Sequence, residues 1–141
     1  MFKKLLAATL ILALSGCSDK LSLDGLSGTY TGKFHYLTPE NSAKVTADAK
    51  ITFSDHTYSS LRNTNYIPAG GSGVFEIQPE EILNFKDENI WTANFDWGLI
   101  LNGKYKYDLK GDSLILTRYT EPCPNCSMQA GLYQYRLKRT N

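Results

Sequence analysis

The sequence predicts an all-β domain of eight antiparallel strands in up-and-down order, closed into a barrel. The chain is rich in aromatic residues, with nine Tyr, six Phe and two Trp, and such residues favour sheets. From residue 28 onward, several segments alternate between apolar and polar residues with a period of two. Short polar turns separate these segments, and no helical pattern intervenes. A two-sheet sandwich is the alternative, because its strands alternate in the same way.

The chain begins with a segment typical of an export signal. Lys3 and Lys4 form a positive start, and residues 5–14 carry no charge. As a helix, that uncharged segment spans about 15 Å, which is half of a bilayer core of about 30 Å. It is therefore too short for a transmembrane helix. We expect residues 1–16 to be a signal peptide that is cleaved from the mature protein.

The signal-like segment ends in Leu14-Ser15-Gly16-Cys17, which resembles the lipobox of bacterial lipoproteins. The resemblance implies that Cys17 becomes the acylated N-terminus, so that its sulfur carries lipid. Several acyl chains, at about 0.8 kcal/mol per buried CH₂, anchor a protein stably. The next residue is Ser18, and in many Gram-negative lipoproteins a residue other than Asp at this position is associated with the outer membrane. The expected location is the cell envelope, lipid-anchored at the outer membrane, on its periplasmic face or at the cell surface.

The remaining chain divides into a short segment and one domain. Residues 17–27 are expected to be the lipidated N-terminus and a polar tether, and residues 28–141 to be the barrel domain. The whole chain has 15 basic and 14 acidic residues without a basic cluster. Nucleic acid is therefore not an expected partner. Membrane lipid, through Cys17, is the first expected partner.

The first three predicted strands have the clearest pattern. Alternation begins at Gly28 and continues to residue 37, with Tyr, Phe and Gly on one face. Residues 44–53 alternate without interruption, and residues 57–62 follow a three-residue turn as their hairpin partner.

The middle of the chain alternates between loops and strands. Residues 63–73 are rich in Gly, Asn and Pro and predict a loop. Residues 73–78 and 82–86 flank a polar turn and predict a hairpin. Residues 87–98 are less regular and contain both tryptophans.

Three further strands complete the predicted barrel. Residues 99–109 alternate again, and a Lys-Gly-Asp turn leads into residues 113–119. The last strand, at residues 131–138, follows a loop that contains two cysteines. A sheet of about eight strands tends to close, which removes its exposed edges.

Residues 28–34, Gly-Thr-Tyr-Thr-Gly-Lys-Phe, resemble the first strand of small lipocalin-like lipoproteins, G-x-Y-x-G-x-[FY]. Residues 67–73 and 91–97 are similar to segments of such lipoproteins from Bacteroidetes-type bacteria. The resemblance covers most of residues 28–138 and implies a calycin-like barrel with a lipid anchor. Tyr30 stands where true lipocalins carry a tryptophan.

The sequence predicts neither a catalytic site nor a cofactor. Cys123-Pro-Asn-Cys126 has the spacing of a redox pair, but no helix pattern follows it to lower the thiol pKa. An exported location favours a local disulfide between these two cysteines. Thiol redox chemistry, a metal site and free thiols are the alternatives. Neither His35 nor His56 belongs to a catalytic or metal motif, so we expect no enzyme and no metal.

The candidate ligand-binding residues are aromatic: Trp91, Trp97, Tyr105 and Tyr107. Inward-facing aromatic side chains either line a cavity or fill a solid core, and the tryptophans either plug the barrel or anchor a partner. The first functional hypothesis is a lipid-anchored lipoprotein that binds a small apolar or glycan ligand. The alternative is a structural or protein-interaction lipoprotein, an envelope accessory or inhibitor, with a solid core and an exposed apolar patch.

Overall fold

The computed structural model describes residues 21–37, 43–122, 124 and 131–141, and it is an all-β closed barrel. Every strand pairs antiparallel with its neighbours in the sequence, and the last strand pairs with the first. This confirms the eight-stranded up-and-down barrel and excludes the sandwich. The strands are β1 Gly28–Leu37, β2 Val45–Ser54, β3 Thr57–Ser60, β4 Gly71–Gln78, β5 Ile82–Asp87, β6 Gly103–Lys110, β7 Ser113–Arg118 and β8 Leu132–Thr140.

The alternating strand directions give the barrel two different ends. At the turn end, residues 55–56, 79–81 and 111–112 form tight connections, and the chain enters β1 and leaves β8. At the loop end, residues 61–70 join β3 to β4 and residues 88–102 join β5 to β6. These two long connections therefore lie over the same mouth of the barrel.

Aromatic side chains fill the interior of the barrel. Phe53 of β2 and Phe85 of β5 come from strands three positions apart, and their ring centroids are 6.2 Å from each other. Phe85 also contacts Tyr105 at 5.7 Å, and Tyr105 contacts Tyr135 of β8 at 6.2 Å. All four side chains are buried. Rings at these distances are in direct packing contact, so the walls meet across the barrel axis at this level.

A short helix closes the turn end. Helix α1, Leu23–Leu26, is capped by Ser22, and Leu26 is fully buried. Arg139 of β8 donates hydrogen bonds to the Gly25 carbonyl and, at 2.6 Å, to the Tyr30 hydroxyl. Its guanidinium lies 5.1 Å from the centre of the Tyr30 ring. Burial raises the pKa of Tyr30, and the charge of Arg139 opposes that shift.

Helix α1 differs from the sequence expectation of a tether up to residue 27. One helical turn is too short to produce a hydrophobic period in the sequence. Tertiary contacts stabilise the helix. Leu26 packs in the core, and the Gly25 carbonyl accepts a hydrogen bond from Arg139, which is close in space but near the other end of the sequence. Residues 17–20, including Cys17, lie outside the described residues.

The predicted sixth strand begins too early in the sequence. Leu99 and Leu101 are buried, as their alternation indicates, but they belong to the loop before β6. The Leu101 amide donates to the Gly70 carbonyl at 2.8 Å, and the Ala69 amide donates to the Leu99 carbonyl at 3.0 Å. Burial alone produces an alternating pattern, so the pattern did not reveal that these residues pair with a loop. The structure also ends β3 at Ser60, two residues before the predicted end.

No helix in the described part of the chain is long and apolar enough to cross a membrane.

Candidate functional site

Residues 88–102, which we call the strap, cross the mouth of the barrel and are held by Asp96. One carboxylate oxygen of Asp96 accepts hydrogen bonds from the hydroxyls of Tyr36 at 2.9 Å and Tyr133 at 3.1 Å. The other oxygen accepts the Gly98 amide at 2.8 Å, which caps the 3₁₀ turn Trp97–Leu99. The two tyrosines belong to β1 and β8, whereas the strap connects β5 to β6. Asp96 therefore ties the strap to the wall opposite its starting strand.

The side chain of Arg118 contacts the same part of the strap. Arg118 ends β7 on the inward side of the strand, two residues after the buried Leu116. It donates a hydrogen bond to the Gly98 carbonyl at 2.7 Å, and its guanidinium is 5.2 Å from the centre of the Tyr133 ring. It forms no ion pair with any described carboxylate. The strap is thus held by a carbonyl contact and a cation–π contact in addition to Asp96.

Asp87 organises the first residues of the strap. One carboxylate oxygen accepts the Ser72 amide at 2.9 Å and the Asn89 side-chain amide at 2.6 Å. The second oxygen accepts the Trp91 indole N–H at 2.6 Å. Hydrogen bonds to an ionised carboxylate are about twice as strong as neutral ones. Asp87 therefore orients Trp91 and fixes the start of the strap against β4.

Aromatic contacts join the strap to residues 61–70. Trp91 meets Phe95 edge-on at 5.6 Å, and Phe95 stacks on Tyr66 at 4.7 Å. The guanidinium of Arg62 lies 5.6 Å from the centre of the Tyr66 ring. A parallel bridge between Gly70 and Ile100 adds backbone pairing. The two loops consequently form one packed layer over the barrel mouth.

The exposed large apolar side chains of the described chain all lie at this end of the barrel. They are Leu61, Ile90 and Trp97, which are 53%, 93% and 59% exposed. Isolated exposed apolar residues are common, but their concentration at one end is characteristic of an interaction surface. The turn end and the outer walls have none among the described residues.

A cleft of about 180 Å³ opens between the two loops. Ser59, Ser72 and Asn89 provide polar groups on its lining, and Trp91 provides an apolar wall. Arg62 also lines the cleft. The arrangement combines a cation, hydrogen-bonding groups and an aromatic face in a space large enough for one side chain.

The polar groups of the interior are neutral tyrosine hydroxyls. Burial raises the pKa of Tyr105 to about 12, and it also raises the pKa values of Tyr58 and Tyr135. Tyr58 donates to the Leu101 carbonyl at 2.5 Å. At neutral pH these tyrosines are protonated, so they supply no charged acid–base pair.

The structure does not bring the four predicted ligand-binding residues together. Trp91 and Trp97 both lie on the strap, the first half-buried and the second exposed. Tyr105 is enclosed in the filled interior, and Tyr107 is half-buried on β6, where its amide bonds to the Glu81 carbonyl near the turn end. The predicted disulfide residues Cys123 and Cys126 lie outside the described residues.

Sequence reasoning missed three residues that organise the loop end: Arg62, Asp96 and Arg118. Each is a single charged residue without a motif, so no local pattern distinguishes it from a solvated charge. For Ile90 the sequence gives a weak indication of a role, because the Ile90-Trp91 pair interrupts an otherwise polar segment.

Comparison with known proteins gives no match to a family model, to a curated protein or to a solved structure. Within the described residues, no cluster of three or more His, Cys, Asp or Glu side chains could hold a metal ion. The fold and the site together define a small β-barrel with a buried aromatic core, and a packed layer of two loops lies over its mouth.

Replacing Asp96 with alanine should loosen the strap, because it removes acceptors for two hydroxyls and one amide. We expect a loss of about 1–3 kcal/mol in local stability, which is an increase of about 5- to 150-fold in amide exchange. Hydrogen–deuterium exchange of residues 94–101 measures this. Asp112→Ala, at an exposed turn, should leave that exchange unchanged. An unaltered exchange rate in Asp96→Ala would show that Asp96 does not hold the strap.

Proposed function

We propose that the chain is a lipid-anchored, non-catalytic protein of the cell envelope that binds another envelope protein through its loop end. The observation that carries the proposal is a contrast between interior and surface. Aromatic rings meet across the barrel interior, whereas the exposed apolar side chains Leu61, Ile90 and Trp97 are all on loop-end connections. A filled interior offers a small ligand no room at that level, and an exposed apolar surface is suited to a protein.

The proposed anchor and the proposed binding surface are at opposite ends of the barrel. Leu21, the first described residue, precedes helix α1 at the turn end and packs against the core. Residues 17–20 would link it to a lipidated Cys17, and four extended residues reach at most about 14 Å. The turn end would therefore lie close to the membrane surface. The loop end would face away from the membrane, toward other envelope components.

Photocross-linking from defined positions tests the binding surface. A photoreactive residue at position 90 of the full-length protein, expressed in its own cells, should give a discrete protein adduct. Matched positions are Glu76, on the outer wall of β4, and Asp112, at the turn end, both exposed. Equal adducts from all three positions, or none from position 90, would overturn the proposal.

Mass spectrometry of the protein extracted from membranes tests the anchor. We expect a chain that begins at Cys17 and carries acyl groups, with a mass that also shows whether Cys123 and Cys126 are oxidised. Cys17→Ser should move essentially all of the protein out of the membrane fraction, because no acyl chain then holds it. An intact segment 1–16 in the membrane-bound protein would exclude the lipoprotein assignment.

A second candidate function is glycan binding, favoured by the exposed indole of Trp97 beside the Asp96 carboxylate. Aromatic faces bind sugar rings, and carboxylates accept hydrogen bonds from their hydroxyls. Oligosaccharides released from the envelope should then change the tryptophan fluorescence, and Trp97→Ala should abolish the change while Trp91 is retained. A titration that is unaffected by Trp97→Ala would remove this candidate.

A further inference from the structure

Arg62 is positioned at the loop end but lacks a polar partner there. It follows β3 directly, is exposed, and is held over the ring of Tyr66 at 5.6 Å. Within the described residues it forms no ion pair. A guanidinium has five N–H donors in a planar fork that matches a carboxylate. Arg62 therefore lies at the cleft with donors available for an acidic group.

Neither acidic residue at the start of the strap, Asp87 or Glu88, forms an ion pair with Arg62. Asp87 accepts hydrogen bonds from Ser72, Asn89 and Trp91, and none from Arg62. The carboxylate is committed to the strap, and it also holds Asn89 and Trp91 in place on the lining of the cleft. An incoming carboxylate at Arg62 thus meets a cleft whose polar and aromatic lining is already ordered.

The surroundings of the cleft indicate which kind of molecule carries the carboxylate. Leu61 stands between the lining residues Ser60 and Arg62, and Ile90 stands between Asn89 and Trp91. Both aliphatic side chains are exposed. A sugar acid or an inorganic anion would leave them in water, whereas a polypeptide with apolar residues beside its acidic one would cover them.

We infer that the cleft between the two loops receives an aspartate or glutamate side chain of a protein partner, bound by Arg62, with apolar neighbours of that residue covering Leu61 and Ile90. The cleft, at about 180 Å³, takes one side chain and not a folded element. This inference rests on the proposed function and specifies the chemistry of the partner.

Selection of displayed peptides on the full-length, detergent-solubilised protein tests the inference. Twelve-residue peptides, randomised at every position, are selected for binding to the immobilised protein. We expect the enriched peptides to contain Asp or Glu flanked by apolar residues. Replacing that acidic residue by its amide should weaken binding about tenfold or more.

Variants of the protein identify the groups responsible. Arg62→Gln should reduce the affinity for the acidic peptides about tenfold or more, and Arg62→Lys should restore part of it. Ile90→Ser should weaken the binding of the same peptides, but the variant should still prefer the acidic peptide over its amide. Arg136→Gln, which removes an exposed arginine from the outer wall of β8, is the matched control and should have no effect.

Three results would overturn the inference. They are enrichment of peptides without an acidic residue, equal binding to wild type and Arg62→Gln, and the absence of any enriched peptide. Failure of the proposed function has a different signature, because it removes the adduct formed from position 90. An adduct from position 90, combined with any of these three results, would retain the protein-binding loop end and reject the carboxylate site.

Discussion

Phe85→Ala is expected to lower the free energy of unfolding by about 3–5 kcal/mol. The side chain is almost completely buried. It contacts Tyr58 at 4.9 Å, Tyr105 at 5.7 Å, Phe75 at 6.1 Å and Phe53 at 6.2 Å. Its removal leaves a cavity among rigid rings, which cannot collapse into the space. Chemical denaturation of the two proteins at 25 °C gives the difference directly.

Val74→Ala is the control for Phe85→Ala. Val74 lies on β4 between inward-facing neighbours and is only half-buried. Its truncation should cost about 1 kcal/mol or less. If Phe85→Ala also cost no more than that, the barrel would have to contain space that absorbs the loss. That result would contradict a filled interior and return the small-ligand hypothesis to first place.

Gly32→Ala should also destabilise the barrel, by about 3 kcal/mol, because β1 and β8 approach too closely there for a side chain. A Cβ at position 32 would lie 2.1 Å from the Arg136 carbonyl oxygen and 2.9 Å from the Leu137 Cα. Both are backbone atoms and cannot rotate away. Relief requires the two strands that close the barrel to separate locally. Thermal and chemical denaturation of the purified variant measure the effect.

Gly25→Ala separates the steric effect from the general effect of replacing glycine. A Cβ at position 25 would meet only the Ser22 hydroxyl, at 3.1 Å. We expect its stability to stay within about 1 kcal/mol of wild type, since alanine also favours a helix. Wild-type stability in Gly32→Ala would show that β1 and β8 are further apart than the structure places them.

Much of the barrel was predictable because strand patterning is local. Each of the eight alternating segments corresponds to one observed strand, and the alternation in β2 marks its inward face from end to end. The pattern failed at Leu99 and Leu101, where burial beneath a loop produced the same alternation as a strand. It failed at Leu26 as well, because a single helical turn has no period to detect.

The candidate site was predictable only in part. Trp91 and Trp97 stood out as aromatic residues in an irregular segment, and both lie on the strap. Arg62 and Asp96 gave no signal, because their roles depend on Tyr66, Tyr36 and other residues distant in sequence. Pairings of this kind arise from the closure of the barrel and are absent from any short window of the chain.

The sequence by itself determined the class of fold, the number of strands and the inward face of most of them, because a period of two depends only on neighbouring residues. It also supplied the motif on which the proposed anchor at Cys17 rests. Only the tertiary structure decided that Phe53 and Phe85 meet across the interior. It alone placed the two long loops over one mouth, where Arg62 of one loop and Trp91 of the other line the same cleft. Those outcomes depend on the distance between chain segments after closure, and that distance is a property of the whole barrel.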